Sequence, residues 1–140
     1  MSAPSPRAGR AWPRIVAWGL GYFAIGFVTV AISRNVARSG LQPLRLAAWA
    51  VSAVVFGTHI WYEARRAGGT PPRTALRNAL AVALGGFLIA VVATVHALSA
   101  GSARVVPQLM ALVAWPVLLG IPSFLVAWGA AAALGGRKTG

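Results

Sequence analysis

Residues 71–100 read PPRTALRNALAVALGGFLIAVVATVHALSA. Pro71 and Pro72 suit the first turn of a helix, where a missing N–H removes no hydrogen bond. Thr70 precedes them as a candidate N-cap. Arg73 and Arg77 place the opening turns at an interface. From Ala79 onward the stretch carries no Asp, Glu, Lys or Arg. About 20 such apolar residues are enough to cross a bilayer as a helix. Inside the run, Ala79, Ala83, Gly86, Ala90, Ala93 and Ala97 recur at spacing 4, 3, 4, 3, 4. Membrane helices pack through small residues because lipid offers no hydrophobic drive for them to associate. This helix is therefore expected at the centre of the fold.

The same pattern extends outward on both sides. The chain has 140 residues, of which 58% are hydrophobic and 10% charged, against about 25% charged in soluble domains. The apolar residues fall into four blocks, predicting helices over about 14–33, 44–64, 71–100 and 105–134. The expected fold class is all-α, a four-helix transmembrane bundle forming one integral membrane domain over 14–135. Residues 1–13 are rich in Ser, Pro, Gly and Arg and are expected to form a disordered basic tail. Residues 136–140 form a short basic tail at the other terminus.

The first block follows three arginines, as a signal peptide does, and Ala31 and Ser33 offer small residues at its end. Its length exceeds the usual apolar core of 7–15 residues in such peptides, which favours an uncleaved helix. Gly19, Phe23, Gly26, Val30 and Ser33 form a packing seam on it. Gly40 and Pro43 place a loop over 34–45. The second helix has two seams. Ala50, Ala53, Gly57, Ile60 and Ala64 are small or apolar, whereas Ser52, Phe56, His59, Glu63 and Arg66 are mostly polar. Gly68 and Gly69 close that helix, as glycine does at helix C-termini. In the fourth helix, Pro116 and Pro122 are interior and each removes a backbone hydrogen bond. This helix is expected to be kinked or interrupted between the two prolines.

A net charge of +12 in a soluble protein suggests nucleic acid. Here the basic residues flank apolar blocks, where they meet anionic lipid headgroups and set topology. The expected partners are thus the lipid bilayer and other membrane protein subunits or further copies of the chain, with no nucleic acid. Arg7, Arg10, Arg14, Arg65, Arg66, Arg73, Arg77, Arg137 and Lys138 fall on one side of a four-span topology. Arg34, Arg38, Arg45 and Arg104 fall on the other. The positive-inside rule then places both termini in the cytoplasm, at the inner membrane if the source is bacterial. Trp12, Trp61 and Trp128 lie near the predicted interfaces, where indole is favoured.

Chemistry is sparse. There is no cysteine, which excludes disulfides, thiolate catalysis and Cys-ligated metals. Glu63 is the only acidic side chain, which excludes paired-carboxylate catalysis. No phosphate-binding loop, dinucleotide fingerprint, nucleophile elbow or zinc-protease motif occurs. No cofactor or metal is called for. His59 and Glu63, four apart, share a helix face. Counting outward from the Gly68–Gly69 turn brings Glu63 level with Thr74 and His59 level with Asn78. A polar cluster of His59, Glu63, Asn78 and at least one of Arg66, Arg73 and Arg77 is expected at the cytoplasmic side. An arginine and an amide would relieve the cost of holding a carboxylate near hydrocarbon. His96 is a candidate axial ligand to a haem or chlorophyll. It lies too far along its helix to share an ion with His59. The leading functional expectation is a non-enzymatic accessory, assembly or scaffolding subunit of a membrane complex. The alternatives are a small oligomeric transporter or channel, and a haem- or chlorophyll-binding subunit using His96.

Overall fold

The computed structural model describes residues 11–68, 70–101 and 105–136. It is all-α, with four helices and no strand among the described residues: α1 Ala11–Ser33, α2 Arg38–Arg65, α3 Pro71–Ser99 and α4 Val105–Gly136. All four are long and apolar enough to cross a membrane. Their 23, 28, 29 and 32 residues correspond to roughly 35–48 Å at 1.5 Å per residue. The expected tails fall largely on residues 1–10 and 137–140, outside the described residues.

The helices alternate in direction. Arg14 of α1, Glu63 of α2 and Arg77 of α3 meet at one end. Thr94 of α3 and Gln108 of α4 meet at the other. Helix α3 is the centre: it packs along both α4 and α1, while α2 touches its neighbours more sparsely. Ten residues of α3 are buried, from Thr74 to Ala97. Among the six small residues at spacing 4-3-4-3-4, Ala79, Gly86, Ala90 and Ala97 are buried and Ala83 and Ala93 half-buried.

Two adjacent glycines let α3 approach two helices at once. A Cβ on Gly85 would stand 2.7 Å from the Tyr22 Cβ, 3.1 Å from the Gly19 carbonyl oxygen and 3.2 Å from the Phe23 nitrogen. That is backbone against backbone, where α1 crosses α3. A Cβ on Gly86 would meet Leu119 Cδ1 of α4 at 2.7 Å. Here the obstacle is the tip of a flexible side chain.

Two boundaries differ from those the sequence suggests. Helix α1 starts at Ala11 rather than Arg14. Pro13 falls in its first turn, where its missing donor is harmless. Helix α2 starts at Arg38 and contains Pro43, so the connection is short, not a loop over 34–45. Proline this near a start deprives only an early carbonyl, that of Ser39, and Ser39 is exposed. The Gly40 amide donates to the Ala37 carbonyl at 2.9 Å and tightens the first turn. At the α2–α3 connection, Gly68 has φ +63°, a left-handed conformation that glycine adopts without penalty. Thr70 occupies the cap position of α3 but its side chain makes no capping bond. Helix α4 runs continuously from Val105 to Gly136, with Pro116 and Pro122 inside it.

Candidate functional site

The polar residues of three helices converge near the end marked by the Gly68 turn. Glu63 lies in the last turns of α2, with its side chain 2% exposed. Arg77 Nη1 of α3 donates to Glu63 Oε2 at 2.7 Å. Arg14 Nη1 of α1 lies 3.8 Å from Oε1. Each carboxylate oxygen thus faces an arginine from a different helix. A charge-assisted bond of 2.7 Å is at the strong end for a nitrogen donor. The carboxylate ties α1, α2 and α3 together.

One turn further along α2, His59 is buried against α1. Its ring stacks on Trp18 at a centroid separation of 4.3 Å, with planes 13° apart. Its Nδ1 lies 3.2 Å from Tyr22 Oη. Next to it, Ile60 packs with Ala75 of α3 and Ala127 of α4 in a small apolar core, flanked by Phe56 and Phe124. The polar set therefore lies over the only point where α2, α3 and α4 pack into one buried apolar cluster among the described residues.

Of the expected cluster, the structure joins Glu63 directly to Arg77 and buries His59 and Asn78. Asn78 is placed differently in its bonding. Its Nδ2 donates to the Thr74 carbonyl of its own helix at 3.0 Å, and neither His59 nor Glu63 is its partner. Arg66 and Arg73 are exposed, and the ion pair instead recruits Arg14. Trp18, Tyr22 and Arg14 escape a reading centred on α2. A signal was there: Arg14, Trp18 and Tyr22 recur at spacing four, one face of one helix. That spacing matches His59 and Glu63 running the other way.

Three atoms in this region have no hydrogen-bond partner: His59 Nε2, Thr74 Oγ1 and Asn78 Oδ1. All three residues are 1% exposed or less. Each unpaired buried polar atom costs about 1–3 kcal/mol. Most buried polar groups in proteins are paired, so this concentration sets the region apart from the apolar remainder.

His96 sits elsewhere. It is exposed near the far end of α3. Eighteen residues separate it from Asn78 along one helix, a distance of roughly 27 Å. It lines a cavity of about 580 Å³ with Arg34 and Gln108. Thr94 beside it bridges α3 and α4, donating to the carbonyls of Ala90 at 2.8 Å and Gln108 at 3.2 Å. Among the described residues, no three His, Cys, Asp or Glu side chains gather as a metal site would require.

No protein-family model, curated protein or solved structure matches the chain. The fold and the site define its class by themselves: an all-α protein of four helices apolar enough to span a membrane, clamped at one end by a single buried carboxylate.

Proposed function

We propose that the chain is a non-enzymatic integral membrane protein that serves as an accessory, assembly or scaffolding subunit of a larger membrane complex. The observation that carries this reading is the outward face of α2. Ala50, Ala53 and Gly57 are exposed, and a Cβ on Gly57 would meet nothing within 4 Å. These small residues form a strip suited to close approach by a further transmembrane helix. Beside them a cleft of about 520 Å³ opens between α2 and the rest of the bundle, lined by Trp49, Ser52 and Phe56. Burial of Glu63 between two arginines supports a structural role for that residue.

Affinity purification of the tagged chain from its native membrane in mild detergent tests the reading. A stoichiometric membrane partner should co-purify, and Gly57→Leu should remove it while the bundle stays folded. Recovery of the chain alone, or a partner indifferent to Gly57→Leu, counts against the role.

In this reading both termini face the cytoplasm, since the end bearing Arg14, Arg65, Arg66, Arg73 and Arg77 is the more basic. Single cysteines, introduced into a chain with none, should be reached by impermeant reagent from outside at Gly101 and not at Thr70. The reverse pattern would invert the topology. Pro116 and Pro122 deprive carbonyls near Leu112 and Leu118 of their donors and bend α4 without breaking it. A straight axis through residues 114–123, measured in lipid, would remove the bend.

One observation favours a second reading, a small transporter or channel. The three unpaired polar atoms at His59, Thr74 and Asn78 lie inside the bundle, where buried polar groups are functional suspects. Glu63→Gln separates the two. A structural carboxylate predicts lower stability with function retained, whereas a transport role predicts loss of flux in liposomes with the fold intact.

A further inference from the structure

The cavity at the end opposite the Glu63 clamp has an unequal lining. Its polar groups, Arg34, His96 and Gln108, come from just past the end of α1, the end of α3 and the start of α4. They therefore sit together at one rim. The remainder is apolar, running inward past Phe27 and Ile89 to Phe23. Ten helical residues carry the chain from Phe23 to Ser33, roughly 15 Å, and Arg34 follows directly. One leaflet of a bilayer is about 15 Å deep, half of a 30 Å hydrocarbon core. The cavity is thus one leaflet deep, with its cation at headgroup level and its apolar body among the acyl chains.

Charge at the rim needs an external partner. Glu63 is the only acidic side chain in the protein, and it is held by Arg77 and Arg14 at the other end. The Arg34 guanidinium has no side-chain carboxylate to pair with, and it presents a planar fork of donors suited to phosphate. His96 adds a ring N–H and Gln108 an amide. A volume of about 580 Å³ lies within the usual range of ligand sites, about 300–1,000 Å³.

We infer that this cavity is a binding site for an anionic phospholipid. One acyl chain lies between α1 and α3 along Phe23, Phe27 and Ile89. The phosphate is held by Arg34, with His96 and Gln108 as further donors. The inference rests on the membrane reading of the four helices and is independent of the accessory role. It also gives His96 a part that requires no haem or chlorophyll.

The test uses the full chain purified in detergent and incubated with equimolar phosphatidylglycerol and phosphatidylcholine of matched chains, with retained lipid counted by native mass spectrometry. Phosphatidylglycerol should be retained in preference by about tenfold, near 1.4 kcal/mol. Arg34→Gln should bring the ratio close to one. Arg38→Gln, at the same end but outside the cavity lining, should leave it unchanged. Ala93→Phe, which fills the apolar body, should lower retention of both lipids. Millimolar inorganic phosphate should not displace the lipid. Equal retention of the two lipids by the unaltered chain overturns the site, as does an equal effect of Arg34→Gln and Arg38→Gln. Retention unaffected by Ala93→Phe, or displacement by phosphate, overturns the acyl-chain assignment. Circular dichroism of each variant separates loss of the site from loss of the fold.

Discussion

Replacing Arg77 by leucine should destabilise the bundle by about 3–5 kcal/mol, the range for removing one partner of a buried ion pair. The expectation follows from asymmetry. Glu63 is almost fully buried, with its side chain 2% exposed, whereas the arginines reach the surface with side chains 22% and 32% exposed. Removing the arginine strands a charge in a region where water cannot solvate it. Arg14, at 3.8 Å, is too distant for a hydrogen bond and offsets only part of the loss. Glu63→Gln should cost less, because the amide oxygen still accepts from Arg77 and no net charge is left buried on α2. In the double variant Arg77→Leu with Glu63→Gln, the loss should be smaller than the sum of the single losses, since neighbours in one network do not add. Unfolding titrations in mixed micelles of the four proteins give the cycle. An Arg77→Leu protein as stable as the parent would show that the carboxylate does not clamp the helices.

The second large effect is expected at Gly85. Alanine there would drive its Cβ into the Tyr22 Cβ and against the backbone of Gly19 and Phe23. Backbone cannot rotate aside, so α1 and α3 must separate. Overpacking of this kind costs typically 1–3 kcal/mol. Separation of α1 also pulls Trp18 and Tyr22 off His59, so the loss should lie at the upper end for alanine and exceed it for leucine. Two other glycines, Gly86 on the same helix and Gly57 on α2, serve as internal standards. At Gly86 the obstacle is one Leu119 methyl, which can change rotamer, so alanine should be close to neutral. At Gly57 nothing lies within 4 Å, and alanine should match or exceed glycine, by up to about 1 kcal/mol from helix propensity. The predicted order of stability is therefore Gly57→Ala above Gly86→Ala above Gly85→Ala. Equal effects at the three positions would mean that close approach is not why α3 carries glycine at Gly85.

Much of the architecture is legible in the amino-acid sequence. Four apolar blocks with arginines at their ends dictate four helices long enough to span a bilayer, because length and apolarity are properties of each segment alone. The repeat of small residues on α3 marks it as the helix others approach, because only small side chains permit that distance. The spacing of His59 and Glu63 puts them on one face whatever surrounds them. Helix starts are less legible. Pro43 looks like a boundary, yet proline is excluded only where its donor is needed, and Ser39, whose carbonyl would take that donor, is exposed.

Only the tertiary structure decides which helix supplies the partners. Arg66 and Arg73 lie closer to Glu63 in sequence than Arg14 does, yet the carboxylate pairs with Arg77 and Arg14. Partner choice depends on how each helix is rotated about its own axis, and close crossings set that rotation. Gly85 against Gly19 and Tyr22 turns α1 so that Arg14, Trp18 and Tyr22 face α2. Nor is the bonding of Asn78 readable from its position: its amide donates to the Thr74 carbonyl of its own helix, and its oxygen is left unpaired. A one-dimensional pattern carries the period of a helix but not its phase relative to a neighbour, and that phase is fixed by packing between segments far apart in the chain.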